Sequence, residues 1–263
     1  MGFAALSGSG VAASASSAET ERFGISVVRV SVGAEWRPAD PARAAAEVVE
    51  ALASLPWQVA VLRFSSERRD LIRDLIAQGA AVVPGDTLIY WRQALDDAAP
   101  QSAATDVRPV TSADLALVDR IVERSFDGYS NHYTSNPLMA PEDVVAGYRA
   151  WARRTASGSG LAFIIEDDEG FGGVATVDAG PDHWEIELAG MEPEAAGRGL
   201  YRRLLEGVAS AARASGVAAL MISTQAQNIR VQRVWARAGF VPVAAFDTVH
   251  LLAAAARSRL PAG

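Results

Sequence analysis

Met191-Glu192-Pro193-Glu194-Ala195-Ala196-Gly197-Arg198-Gly199-Leu200-Tyr201-Arg202-Arg203-Leu204-Leu205 is the stretch on which the reading of this chain turns. Strand-like Trp184-Glu185-Ile186-Glu187-Leu188 leads into it, and two glycines one residue apart interrupt it. Leu200, Leu204, Leu205 and Val208 then fall on one helical face. Glycine lets backbone N–H groups close on a ligand, and a helix start adds partial positive charge. Strand, glycine turn and helix start in that order therefore predict an anion site, with Arg198 supplying a full charge beside it. The stretch is too short for a dinucleotide fingerprint, which needs a third glycine and an acidic residue about 20 positions on. It also lacks the Gly-Lys-Ser/Thr end of a nucleotide triphosphate loop. Further on, Val217 to Thr224 reads as a buried strand. Asn228, Val231, Val234, Trp235, Gly239 and Phe240 mark a helix stopped by glycine.

The order and spacing of these pieces resemble the GNAT N-acetyltransferase superfamily, from about Val107 to Leu252. The acyl-CoA loop of that family is a Gln/Arg-x-x-Gly-x-Gly/Ala pattern, and its counterpart here is Ala196-Gly197-Arg198-Gly199-Leu200-Tyr201. The family's Asn-x-x-Ala-x-x-Leu-Tyr-x-Lys-x-Gly-Phe helix falls on Asn228 to Phe240. The resemblance implies a mixed α/β sheet and acetyl-CoA as the default donor. It implies that Leu188, Ala189, Gly190 and Met191 splay and pair with the pantetheine arm, with a backbone N–H facing the thioester oxygen. Asn228 would lie near the pantetheine or a phosphate, cap the helix from Ile229, or do both. Three positions depart from the pattern. Ala196 stands where Gln or Arg is usual, Tyr201 fills the last Gly/Ala position, and Trp235 replaces a tyrosine that reprotonates the leaving thiolate. An indole N–H has no usable acidity.

Bulk properties narrow the class. The chain has 263 residues, half of them hydrophobic, enough for one large core or two modest ones. A net charge of −7 argues against a nucleic-acid partner. All 24 basic residues are arginine, which fits the codon bias of a high-GC genome and excludes a lysine Schiff base. There is no cysteine, hence no disulfide, thiolate nucleophile or cysteine metal site. His132, His183 and His250 lie far apart, so no metal is expected. No apolar run reaches membrane-spanning length, and a cytoplasmic location follows by default. The oligomeric state is left open, a homodimer among the options.

Two halves are legible. Residues 1–18, rich in Ala, Ser and Gly, read as a flexible leader, 19–95 as an N-terminal domain, 96–106 as a linker, 107–255 as the catalytic domain and 256–263 as a tail. Gly24 to Val32, Val59 to Phe64 and Ala81 to Trp91 read as strands, Pro41 to Leu55 and Arg68 to Gln78 as helices. Ala60 to Trp91 mirrors Leu220 to Leu252 at an offset of about 160: Leu62 with Ile222, Leu71 with Val231, Leu75 with Trp235, Gly79 with Gly239. Between Val32 and Pro41 there is no Gly-x-Gly turn, so the first half reads as a degenerate GNAT-like domain without an anion loop. Chance is the alternative, since strand–helix–strand units are common. In the second half Val107 to Val110 starts a strand, Ser112 can cap the next helix, Ala140 to Arg154 is a helix, and Leu161 to Glu166 with Phe171 to Asp178 form a hairpin.

Acyl transfer to an amine needs a deprotonated nucleophile, an oxyanion donor and a proton route. Glu185 and Glu187, two apart on a strand, share a face, and either can draw the ammonium proton; neighbouring carboxylates raise at least one pKa. A solvated strand face is the plain alternative. Ser125 to Pro137 is long, polar and aromatic, which suits a binding loop. Its Phe-x-x-Tyr-x-x-His-Tyr-x-x-Asn-Pro pattern, with Gly147-Tyr148-Arg149-Ala150-Trp151, resembles the GNAT branch that acetylates dTDP-linked amino sugars such as dTDP-fucosamine. Tyr129, His132 and Tyr133 would then contact the acceptor, or simply pack. Tyr133, Tyr129 and Tyr201 are the phenols that can replace the missing acid, and water can as well. The expectation is an acyl-CoA-dependent N-acyltransferase acting on a small-molecule amine. Its rivals are a catalytically impaired acyl-CoA-binding scaffold and an acyl-CoA decarboxylase.

Overall fold

The computed structural model describes residues 2–36, 42–95 and 106–259. In chain order the elements are α1 (Phe3–Ser7), β1 (Val11–Ala15), α2 (Ser17–Phe23), β2 (Val27–Val32), α3 (Ala42–Ala53), β3 (Val59–Ser65), α4 (Asp70–Ala77), β4 (Ala81–Ala94), β5 (Arg108–Pro109), α5 (Leu115–Phe126), α6 (Pro141–Arg154), β6 (Leu161–Glu166), β7 (Gly172–Ala179), β8 (Trp184–Met191), α7 (Leu200–Ala214), β9 (Ala219–Gln225), α8 (Ile229–Arg237), β10 (Val241–Leu252) and α9 (Ala254–Arg257). Two compact units arise from interleaved stretches of chain. Met1–Ile89, Ser130–Val144 and Ala244–Gly263 make the first, Tyr90–Tyr129 and Val145–Val243 the second. A simple cut near residue 100 is thus corrected: segments of the second half complete the first unit.

In the first unit the strand order is β1-β2-β3-β10, antiparallel at both ends and parallel between β2 and β3. Alternation sends Val28, Val30, Val32, Val249 and Leu251 into one core with Ala44, Val48, Leu52, Leu71 and Leu75 of α3 and α4. The expected leader is also corrected. Val11–Ala15 pairs antiparallel with Val28–Val32, from Val11 opposite Val32 to Ala15 opposite Val28. Small residues hide its alternation, but a strand needs only backbone groups and a partner edge.

In the second unit the order is β9-β8-β7-β6-β5. Val118, Ile121, Val122 and Phe126 of α5 and Ala152 of α6 pack with Ile164, Val174 and Leu188. Helix α7 buries Leu200, Leu204, Leu205, Val208, Ala209 and Ala212, the amphipathic stripe the sequence predicts. The cap of the turn into α5 is Thr111, one residue before the expected Ser112. It closes a reciprocal capping box with Asp114, whose carboxylate accepts the Thr111 N–H at 2.8 Å. Of the expected linker 96–106, residues 96–105 lie outside the described residues, and β4 ends just before it at Ala94.

The internal offset is regular. β3 and β9 are 160 residues apart at both ends, and β4 and β10 start 160 apart. The helices between them end at Gly79 and Gly239, with φ of 84° and 86°. The strands before β3 and β9 pair differently. β2 stays hydrogen-bonded to β3 from Val27 to Val32. β8 pairs with β9 only from Trp184 to Ile186.

Candidate active site

That early end of pairing opens the site in the second unit. Beyond Ile186, β8 keeps β7 on one side, with Leu188 opposite Thr176, Ala189 opposite Ala175, Gly190 opposite Val174 and Met191 opposite Gly173. No β9 residue pairs with Leu188–Met191 among the described residues. A free strand edge suits an extended ligand carrying amide groups. The opening coincides with a β-bulge: Thr176 faces Leu188 and Val177 faces Ile186, leaving Glu187 as the extra residue. Gly190 has no room for a side chain, since a Cβ there would come within 2.7 Å of Ser125.

After β8 the chain makes a short turn at Pro193–Ala195 and reaches Gly197 and Gly199, with φ of 81° and 78°. Nothing crowds either glycine, so backbone conformation is what demands them. Gly199 is the N-cap of α7 and provides no side-chain acceptor, so the first-turn N–H groups remain available. Ala196 is exposed. Arg198 is exposed as well, but it is not the free cation that the sequence suggested: it binds Asp167 at 2.7 Å and Glu169 at 3.1 Å, both in the β6–β7 turn. An anionic ligand here would compete with two carboxylates for this guanidinium.

Asn228 and Tyr129 reach the end of β9. Asn228 occupies the N-cap position of α8 without capping it, and its Nδ2 donates to Thr224 Oγ1 at 3.0 Å. Tyr129 donates to Gln225 Oε1 and lies 3.4 Å from Thr224 Oγ1. Trp235 Nε1 donates to the Tyr201 hydroxyl at 3.1 Å. The Trp235 ring is 2 % exposed and packs edge-on against Trp91, centroids 6.2 Å apart. Tyr129 also joins Phe126 and Tyr148, with centroid distances of 5.3 and 6.3 Å.

The two glutamates differ. Glu185 is buried opposite Asp178. Glu187, on the bulge, lines a pocket with Trp151, Arg154, Thr155, Gly160, Val177 and Asp178. Burial pushes its carboxyl above the usual range and the Asp178 charge adds to that, while a hydrogen bond from Trp151 and the charge of Arg154 oppose it. The raised pKa anticipated from a Glu185–Glu187 pair therefore comes from burial and Asp178.

His132 and Tyr133, expected to contact the acceptor or simply to pack, lie in the first unit. Arg29, Val61 and His250 are in register across β2, β3 and β10, and the loop packs on this row. Tyr133 donates to Glu19, which also binds Arg29 Nε at 2.6 Å. Burial raises the Glu19 carboxyl, but Arg29 and the hydrogen bonds outweigh it and hold the group at about 2. Asn136 Oδ1 accepts the Leu138 N–H at 3.0 Å, which turns its Nδ2 toward His250 Nδ1 at 2.8 Å. His250 Nδ1 is therefore an acceptor, and Nε2 carries the hydrogen donated to His132 Nδ1 at 2.9 Å. Burial lowers both imidazoles, His250 to about 4. Tyr133 and His132 are committed to this network.

Sequence reasoning overlooked Glu192. It has no exposed surface, accepts the Gly172 N–H at 2.8 Å, and pairs with Arg120 at 3.2 Å and Arg124 at 3.6 Å. These contacts fix the start of the glycine loop to β7 and α5. Its place just before Pro193 was the available signal. Asp178 and Arg154 carried none, because only the bulge and the end of α6 bring them to Glu187.

Comparison with known proteins agrees with this geometry. Residues 123–240 match the profile of the family described as Acetyltransferase (GNAT) family. A GCN5-related N-acetyltransferase from Sphaerobacter thermophilus superposes with a TM-score of 0.57 at 15 % identity, over 91 % of this chain and 76 % of that one. One from Kribbella flavida gives 0.53 at 16 %, over 89 % and 84 %. A functionally unknown conserved protein from Staphylococcus epidermidis ATCC 12228 gives 0.55 at 9 %, over 86 % and 84 %. No protein of curated function matches the chain significantly. The fold is that of the GNAT acetyltransferases, and the family's sequence similarity is carried by residues 123–240.

Proposed function

We propose that this chain is an acyl-CoA-dependent N-acyltransferase, with acetyl-CoA as the donor and the amine of a small molecule as the acceptor. The opening of β8 from β9 beyond Ile186, leading to the uncapped start of α7, carries this reading. Leu188, Ala189, Gly190 and Met191 would bind the pantetheine amides along the free edge of β8. Gly197 to Tyr201 would hold the pyrophosphate, and Asn228 would border the arm. The amine attacks the thioester carbonyl directly while a β8 backbone N–H holds the oxyanion. Glu187, whose raised carboxyl suits a base near neutral pH, takes the ammonium proton. Tyr129, beside Phe126 and Tyr148, borders the acceptor. A nucleotide-linked amino sugar is the first acceptor to test, on the pattern of residues 126–151.

Calorimetric titration with acetyl-CoA, followed by thiol release with and without amines, tests the reading. Micromolar binding and amine-dependent release support it. Carbon dioxide release from malonyl-CoA without an amine would instead make the chain a decarboxylase. A second reading, a scaffold without turnover, draws on the engagement of Arg198 by Asp167 and Glu169. Absence of any binding by folded protein would favour it.

A further inference from the structure

Another cavity of the second unit, of about 240 Å3, lies where α7, the end of α8 and β4 meet. Arg202, Glu206 and Arg213 reach it from α7, Arg237 from α8 and Gln93 from β4. Arg202 is paired with Glu206, Nε to Oε1 at 2.7 Å. Half-buried Arg213 and exposed Arg237 have no hydrogen bond or ion pair among the described residues. Two uncompensated positive charges therefore face one small volume, in a chain whose net charge is −7.

Both arginines stand in last helical turns, where a cation ordinarily serves the terminal carbonyls. Other groups fill that role here. At the end of α7 the Ser215 N–H reaches the carbonyls of Ala211 and Ala212 at 3.1 Å, and the Gly216 N–H that of Arg213 at 3.0 Å. At the end of α8 the Phe240 N–H donates to Trp235 O at 3.0 Å and the Gly239 N–H to Ala236 O at 3.2 Å. Gln93 Nε2 donates to Ala238 O at 2.7 Å. That bond fixes which way the Gln93 amide points, and its buried Oε1 meets no donor among the described residues.

We propose that this cavity binds a compact phosphate monoester, its phosphate between Arg213 and Arg237 and a hydroxyl of its remainder donating to Gln93 Oε1. Guanidinium groups present paired N–H donors that match oxyanions, and a phosphate dianion balances the two open charges. The volume is below the roughly 300–1,000 Å3 of pockets for drug-sized ligands, so only a short remainder fits. The site is separate from the glycine loop. At about 1.5 Å per residue, Arg213 lies about 20 Å along α7 from Leu200. Arg237 is at the opposite end of α8 from Asn228. The assignment does not depend on the acyltransferase reading.

Equilibrium dialysis of the full chain against glycerol 3-phosphate tests it, with inorganic phosphate as second probe and ionic strength held by chloride. Both probes should fill one saturable site per chain, the ester more tightly, and equally with or without acetyl-CoA. Arg213→Gln and Arg237→Gln should each weaken binding about tenfold, and together abolish it, without changing the thermal midpoint. Arg213→Lys should keep part of the affinity, since the charge remains and the paired donors do not. Gln93→Leu should remove the ester's advantage over inorganic phosphate. No saturable binding by wild type, or undiminished binding in the double variant, overturns the proposal. Displacement of either probe by acetyl-CoA would put it in the glycine loop and overturn the proposal too. An ester no tighter than inorganic phosphate would overturn the monoester assignment and give the cavity to the free ion.

Discussion

At the scale of single residues, Glu187 separates from Glu185 because a bulge gives it a place of its own. Both are glutamates on one strand, and only the bulged one lines the pocket with Trp151 and Asp178. Glu187→Gln should lower kcat roughly a hundredfold and remove the acid limb of the pH–rate profile. That limb reports loss of the base as its raised carboxyl takes up a proton. Glu185→Gln should leave the limb in place. Steady-state rates from pH 5 to 9 would decide, and an unaltered profile in Glu187→Gln would exclude it as base. The sequence revealed that a carboxylate on this strand could serve, but it could not choose. Alternation assumes an unbroken pleat, and the extra residue between Ile186 and Leu188 breaks it.

At the scale of elements, the strand–loop–helix unit was legible because each part has a local cause. Leu200, Leu204, Leu205 and Val208 give α7 its apolar stripe, and only glycine adopts the conformation at 197 and 199 without strain. Gly199→Glu therefore acts twice, straining φ near 78° and placing negative charge at a helix start. It should reduce acetyl-CoA affinity by more than tenfold in calorimetry, with the circular dichroism unchanged. Unchanged affinity would remove the loop from the site. The engagement of Arg198 was not legible. Asp167 and Glu169 are about 30 residues away in sequence, and no local pattern says which turn will meet which loop.

At the scale of the whole molecule, the 160-residue spacing between β3 and β9 and between the starts of β4 and β10 was legible, and the interleaving was not. Leu62 with Ile222 and Gly79 with Gly239 are sequence facts. That Phe246–Leu252 pairs with Val59–Ser65 depends on which edge a strand finds, and equivalent strands look alike. The same limit moved His132 and Tyr133 into the first unit, where their neighbours predict acid lability. His250 is held near 4 in the fold against about 6.5 in the unfolded chain, so the unfolded chain takes up its proton first. Its contribution is present above pH 6.5 and lost as pH falls toward 4. Glu19, held at about 2, loses its contribution in a lower window, between 4.5 and 2. Urea midpoints should fall between pH 6.5 and 4.5, on the order of 2 kcal/mol in stability, and His250→Asn should flatten that fall. An equal slope in the variant would place the acid sensitivity elsewhere.

The pairing of β10 with β3 also bears on how the protein is made. Until residues 246–252 have left the ribosome, β3 has β2 on one side and an open edge on the other. Unpaired strand edges invite association with other chains. The first half must therefore wait, exposed, through the synthesis of about 180 further residues. Its sheet is completed only when residues 246–252 are available, so folding yield should depend on chaperones and on the speed of translation.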